Sequence, residues 1–286
     1  MPSSLPHIWR KVDHKFGAPL LKKIRKFVVK NNPNLWGSKR SKDYITDCLY
    51  IALYKDAYGI GYDDITAHVH SSLEVSSKTV RKNTQTLRER LCTWGKQQIK
   101  LGSSKQWIYD ARNTPKADEL AKVSLWMDST DVPLIGKSST SRRSNKWSYK
   151  CNGPAQRYMC LTDARGWVRK LWGGYSPKKF DGEWLKEKRH WLEGHLAGAA
   201  VIADTHFSWG KKNLKKVQFC TPKHKAVSLK DKKLNKSNHQ LRARVETPFG
   251  IIKQKFSALT KPWQEDEVQQ DCLVYFAAGV INASKQ

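Results

Sequence analysis

At 286 residues the chain is long enough for two domains that each bury a core. Its 53 lysines and arginines face 25 aspartates and glutamates, leaving a formal net charge of +28 and a pI near 9.9. That excess argues against a small neutral substrate and for a polyanion, most often nucleic acid, bound through phosphate contacts and counterion release. A membrane surface is the competing polyanion, but no apolar run is long enough to span a bilayer and no signal-peptide core follows Met1, so no membrane partner is expected.

Residues 1–40 read as a basic N-terminal arm. Within it Leu20, Ile24 and Phe27 recur at helical spacing, which suits a packed helix with its lysines in water better than a membrane-surface helix. The polar, turn-rich stretch from Asn31 to Ser41 separates this arm from a helical block over 41–115. Tyr44, Cys48, Ile51, Ala52 and Tyr54 predict a first helix that Gly59 and Gly61 end. Residues from Asp63 to Val69 make a short second helix capped by an aspartate. A third starts at Ser76 or Ser77 and runs through Val80, Thr84, Leu87 and Leu91 toward Trp94, with Lys78, Arg81, Lys82, Gln85 and Arg88 on its other face. A short helix, a tight turn and a basic helix form the helix-turn-helix pattern, which makes those five residues candidate DNA contacts. The competing reading is a plain three-helix module with a solvated basic face. The six cysteines are scattered without C-x-x-C spacing, so neither a disulfide framework nor a structural zinc site is expected.

After a second break at Asn113-Thr-Pro-Lys116 the pattern changes to strands. Leu125-Trp-Met predicts one ending at Asp128. Tyr158 to Thr162 and Trp167 to Trp172 flank Asp163-Ala-Arg-Gly166, a hairpin turn. A helix follows from Phe180 to Leu192 with Asp181 as its N-cap. Ala199 to Ala203 is wholly apolar, as a strand buried on both faces requires, and ends at Asp204. Val217 to Cys220 is a further strand, followed by a lysine-rich loop from Lys223 to Lys236 and a helix bearing Glu246.

Asp128, Asp204 and Glu246 thus stand in order as two strand-end aspartates and a helical glutamate. Each alone reads as an ordinary charge. Together, in so basic a chain, they suit the cutting of nucleic acid by two divalent ions, which clamp the attacking and leaving oxygens and take hard oxygen ligands. Asp131, three residues beyond Asp128, falls on the opposite strand face and reads as an outer or surface carboxylate. Asp231, flanked by lysines in a loop, is the other acidic residue between Asp204 and Lys261 and the weaker candidate. Trp147 and Trp209 are candidates for stacking on unpaired bases.

Asp128-Ser-Thr, Asp204-Thr-His-Phe207 and Arg242-x-x-Val245-Glu246-x-x-Phe249-Gly250-x-x-Lys253 resemble the three blocks of the Harbinger/IS5-type DDE transposases. Ser148 to Gly153 and Ser176 to Asp181 resemble that family's spacer landmarks. Asp131, where the family more often has histidine, and Pro248, inside the third block, depart from the pattern. The resemblance implies an α/β architecture: an RNase H-like catalytic domain over 120–286, a mixed sheet flanked by helices, preceded here by the all-α helix-turn-helix domain. It further implies two Mg²⁺ or Mn²⁺ ions held by Asp128, Asp204 and Glu246, and cleavage and transfer of DNA strands. Expected partners are double-stranded transposon ends and target DNA, contacted also by Arg242 and Lys253, and a second copy of the chain, with room for an accessory DNA-binding protein. The site of action would be the nucleus in a eukaryote or the nucleoid in a bacterium. The alternatives are a domesticated, non-catalytic DNA-binding protein and a basic RNA-binding structural protein.

Overall fold

A computed structural model describes residues 5–31, 42–73, 75–112, 120–135, 144–223 and 225–285, without the side chains of 70–73 and 242–246. In chain order the helices are α1 (Pro6–Phe16), α2 (Ala18–Asn31), α3 (Lys42–Tyr58), α4 (Tyr62–Leu73), α5 (Ser77–Gln98), α6 (Ser104–Ala111), α7 (Asp181–Glu187), α8 (Arg189–His195), α9 (Ser208–Asn213), α10 (Leu229–Lys255) and α11 (Glu267–Ala283). The strands are β1 (Val123–Pro133), β2 (Trp147–Ser148), β3 (Gly153–Asp163), β4 (Val168–Tyr175), β5 (Ala200–Ile202) and β6 (Gln218–Cys220). The chain divides into a helical unit of residues 1–98, 133–135 and 252–286, and a sheet unit of 99–132 and 136–251. Among the described residues no helix is long and apolar enough to cross a membrane.

In the helical unit the segment expected as an arm is folded. Leu5, Ile8, Val12 and Phe16 are buried along α1, and Leu20, Leu21, Ile24 and Val28 along α2. Phe27 is only partly buried, because the α2 seam runs through Val28 at the i+4 position from Ile24. Trp9 Nε1 donates to Asp47 Oδ1 at 3.1 Å and the Tyr50 hydroxyl to Asp13 Oδ1 at 2.9 Å, tying α1 to α3. The helices expected from Tyr44 and from Ser77 are present as α3 and α5, and the Ser77 hydroxyl donates to Asp63 Oδ1 at 2.7 Å, holding α4 to α5. Helix α5 lies against α11 at a glycine crossing: a Cβ on Gly95 would come within 2.6 Å of the Cα of Phe276, and one on Gly279 within 2.8 Å of the Gly95 carbonyl oxygen. Backbones this close leave no room for a side chain.

That packing corrects two of the five residues expected to face DNA. Arg88 is 1% exposed. Its Nε donates to Asp56 Oδ2 at 2.8 Å and its Nη1 to Glu265 Oε1 at 2.6 Å, while Nη2 pairs with the other Asp56 oxygen. Gln85 Nε2 donates to the second Glu265 oxygen at 3.1 Å. The buried stripe of α5 is wide, taking in Asn83, Thr84, Leu87 and Arg88, because α3 and α11 both pack on it. Lys78, Arg81 and Lys82 stay exposed, with the Arg81 guanidinium 5.0 Å from the Tyr62 ring centre. Removing one partner of a buried ion pair strands the others, at a cost of about 3–5 kcal/mol. Arg88→Ala should therefore destabilise the protein by about that much in urea denaturation, with Arg81→Ala close to wild type. Equal stability of the two variants would show Arg88 to be solvated.

The sheet unit is built on strands in the order β2-β3-β1-β5-β6, with β4 pairing β3. β5 is parallel to both β1 and β6, whereas β3 pairs antiparallel with β2 and β4. The residues of β1 are split between two cores, by alternation from Leu125 onward and by a register shift between Val123 and Leu125. Leu125 and Met127 join Met159, Leu161, Val201 and Phe219 beneath Trp184, Leu185 and Leu192 of α7 and α8. Val123 and Trp126 join Ala200 and Ile202 beneath Leu241 of α10. β5 is buried on both faces, as its wholly apolar composition requires. This mixed sheet with helices on both faces fits an RNase H-like domain.

Four expectations change. α6, inside the block read as helix-turn-helix, belongs to the sheet unit, where Trp107 enters the core and donates to the Leu101 carbonyl at 2.6 Å. β1 does not end at Asp128 but continues to Pro133, so Asp128 lies within the strand. Asp181 is the first residue of α7, and Phe180 is the cap position. α10 starts at Leu229, so most of the lysine-rich stretch is helical, and it passes Pro248 unbroken to Lys255. The hydrogen bond lost at an interior proline, about 3 kcal/mol, is offset by burial of Leu241, Phe249 and Ile252.

Candidate active site

The site is set by strand register. β1 and β5 run parallel with Trp126 opposite Ile202. Asp128 and Asp204 are each two residues further on, so adjacent strands deliver both carboxylates to the same edge of the sheet. Asp128 is 8% exposed and its Oδ1 accepts from the Ser129 amide at 2.8 Å. Its charge reaches β3, where burial first and Asp128 second push the Cys160 thiol up. Asp204 leaves β5 and caps a 3₁₀ turn, Thr205–Phe207, with Oδ1 accepting from the His206 amide at 2.8 Å.

Glu246 lies on α10, the helix that packs its Leu234 and Leu241 on the core face shared by Trp126 and Ile202. Asn238, one turn before Leu241, donates to the carbonyl of Cys220, the β6 partner of Ile202. The backbone of α10 therefore follows the face and the sheet end that carry the two aspartates. The side chains of Arg242 and Glu246 lie outside the described residues, and Lys253 is partly buried. Asp231 is in the first turn of α10 and accepts from Lys223 Nζ at 2.5 Å, a bond that holds its carboxyl below the usual range. Trp147 and Trp209 are partly buried, and Trp209 packs against the sheet core.

A second layer of charge backs the aspartates. Asp131 is buried, not at the surface: Arg157 donates Nε to its Oδ1 at 2.7 Å and Nη2 to its Oδ2 at 3.1 Å. The Ser148 hydroxyl adds a 2.6 Å bond to Oδ2. Arg157 Nη1 also lies 3.7 Å from Asp181 Oδ1, and Asp181 is 6% exposed. Lys150 Nζ donates to the Ser129 carbonyl, next to Asp128, at 3.3 Å. Both spacer landmarks, Ser148 to Gly153 and Ser176 to Asp181, thus converge on the two aspartates. Arg157 and Lys150 were not expected from sequence. A lone arginine in the strand run Ala155 to Thr162 is the signal that points to Arg157, since a charge there needs a buried partner.

The donor set is of the type a hard divalent cation takes: aspartates two residues beyond the paired Trp126 and Ile202, and a buried Asp181 Oδ1 with no hydrogen-bond partner among the described residues. Among the described residues, no group of three His, Cys, Asp or Glu side chains is close enough to hold a metal.

Residues 127–282 match the family described as DDE superfamily endonuclease, and the chain belongs to that family. The family consists of nuclease-type enzymes that act on DNA and generally use divalent metal ions. No curated protein matches the chain. No solved structure matches it either.

Burial, with Asp204 adding to it and Arg157 opposing, raises the Asp181 carboxyl from 3.8 to about 6. The folded state then binds more protons than the unfolded state across that window, so this group's contribution to stability falls as pH rises through about 6. In metal-free buffer Asp181→Asn should be at least as stable as wild type at pH 7, with the difference disappearing toward pH 4 in urea titrations. A variant that is less stable by the same amount at every pH would contradict this reading.

Proposed function

We propose that the protein is a transposase of the Harbinger/IS5 type, which binds transposon ends, cuts phosphodiester bonds and transfers the freed strands. The observation that carries this reading is the β1–β5 register, which aligns Asp128 with Asp204 in a chain of net charge +28. Asp128, Asp204 and Glu246 would hold two Mg²⁺ or Mn²⁺ ions. When bound, such ions stabilise the attacking and leaving oxygens of an in-line displacement.

The chain's own residues orient and balance that site. Asp128 is set by its place within the buried part of β1 and Asp204 by its cap on the following turn. Arg157 neutralises the carboxylates behind them, and Lys150 places a cation where a phosphate would approach. The nucleophile is water in the cleavage step and a DNA 3′-hydroxyl in strand transfer. Glu246 is favoured over Asp231 because Lys223 already neutralises Asp231, and α10 packs on the sheet upstream of Glu246.

Asp128→Ala and Asp204→Asn should stay folded and keep their DNA affinity while losing Mg²⁺- or Mn²⁺-dependent nicking of duplex DNA. Glu246→Gln should lose nicking and Asp231→Asn should keep most of it. Wild-type protein without nicking on its own flanking sequences would favour a non-catalytic DNA-binding protein.

For DNA capture we propose α4 and α5 as the helix-turn-helix, with Lys78, Arg81 and Lys82 as its exposed cations, assisted by Arg242 and Lys253. Synapsis of two ends would need at least a dimer. Replacing Arg81 and Lys82 with alanine should weaken binding and shallow the salt dependence by roughly one unit for each phosphate that is no longer neutralised. Unchanged affinity and slope would remove this surface from the interface.

A further inference from the structure

Asp181 is the one buried carboxylate near the site with an oxygen that makes no hydrogen bond among the described residues. A buried ionised carboxylate normally recruits several donors, because leaving a charged oxygen unpaired costs several kcal/mol. Asp131 shows that solution, with Arg157 and Ser148 on both its oxygens. Asp181 does not. Its ion-pair partner among the described residues, Arg157, is 3.7 Å away and already engaged with Asp131.

Position separates Asp181 further from an ordinary helix-start aspartate. It is not the cap residue of α7, a place that Phe180 takes. Gly182, the next residue, is pressed against the segment that follows Asp204: a Cβ there would lie 3.2 Å from the Cβ of Trp209 and 3.9 Å from the His206 carbonyl oxygen. The first turn of α7 is thereby locked onto the turn that Asp204 caps. Asp181 is buried and Asp204 half-buried, and the contact of Gly182 with the His206–Trp209 segment keeps the elements that carry these two like charges together. Such an arrangement is unfavourable without a cation between or beside them.

We propose that Asp181 is a further carboxylate of the cation site, binding on the Asp204 side directly or through a metal-bound water. This rests on the reading of Asp128 and Asp204 as metal residues and extends it to a residue outside the three acidic blocks. In the absence of metal, Arg157 is the partial counter-ion of Asp181, and cation binding supplies the missing partner.

The test is Mn²⁺ binding to the full chain at pH 7.5, by calorimetry and by the rise in melting temperature on adding Mn²⁺. Wild type should bind and be stabilised. Asp204→Asn should lose most of both effects. Asp181→Asn should have a metal-free melting temperature no lower than wild type, yet bind Mn²⁺ roughly tenfold or more weakly, the scale expected when a supporting metal contact is removed. Asp181→Ser serves as the second variant should the amide fail to fold, with the same loss expected. If Asp204→Asn loses binding while both Asp181 variants match wild type, the proposal is overturned and the reading of the site survives. If wild type neither binds Mn²⁺ nor is stabilised by it, that reading falls and the proposal with it.

Discussion

The pairing of β1 with β5 is the constraint on which the site depends. β5 is only three residues long, Ala200 to Ile202, and all of them are buried. Such a strand can be placed only between two others, and its partners are β1 and β6. Because Trp126 faces Ile202, both chains emerge from the shared ladder together and each presents an aspartate two residues later. A slip of one residue would turn Trp126 out of its core and move Asp128 to the opposite face. The packing that stabilises the sheet and the geometry that aligns the carboxylates are therefore one interaction.

Charge is arranged in opposition to the chain's overall balance. A protein of net charge +28 gathers Asp128, Asp131, Asp181 and Asp204 in one part of its sheet unit, with Arg157 as the principal internal counter-ion. A basic surface draws in a polyanion, and an acidic centre would repel it unless cations intervene. In the helical unit the opposite arrangement holds: Arg88 is sealed between Asp56 and Glu265 in a buried network, while Lys78, Arg81 and Lys82 of α5 are among the described cations that stay exposed. The two units use the same residue types for different purposes, one for a site and one for cohesion.

Much of this was legible in the residues. The apolar run before Asp204 identified a central strand, the Asp163 to Gly166 turn identified the β3–β4 hairpin, and helical spacing located α3 and α5. The misreadings share a cause, which is that local pattern cannot report tertiary partners. Arg88 reads as a surface cation because Asp56 and Glu265 are distant in sequence. For Asp131 the sequence leaves an outer or a surface carboxylate open, because Arg157, which buries it, lies on another strand. The N-terminal lysines suggested an arm, although Leu5, Ile8 and Val12 fold it onto the helical unit. β1 seemed to stop at Asp128 because its polar continuation, Ser-Thr-Asp, lacks an apolar run, yet pairing within the sheet carries it to Pro133.

The central claim is that register brings Asp128 and Asp204 together to hold a divalent cation. Crystals of the wild-type protein soaked in Mn²⁺, with anomalous diffraction recorded at the manganese edge, test it most directly. The account predicts an anomalous peak within coordination distance of both carboxylates, about 2.0–2.4 Å from an oxygen of each, as for a hard six-coordinate cation. A fully soaked crystal with no peak there, or with manganese bound only elsewhere, would contradict it.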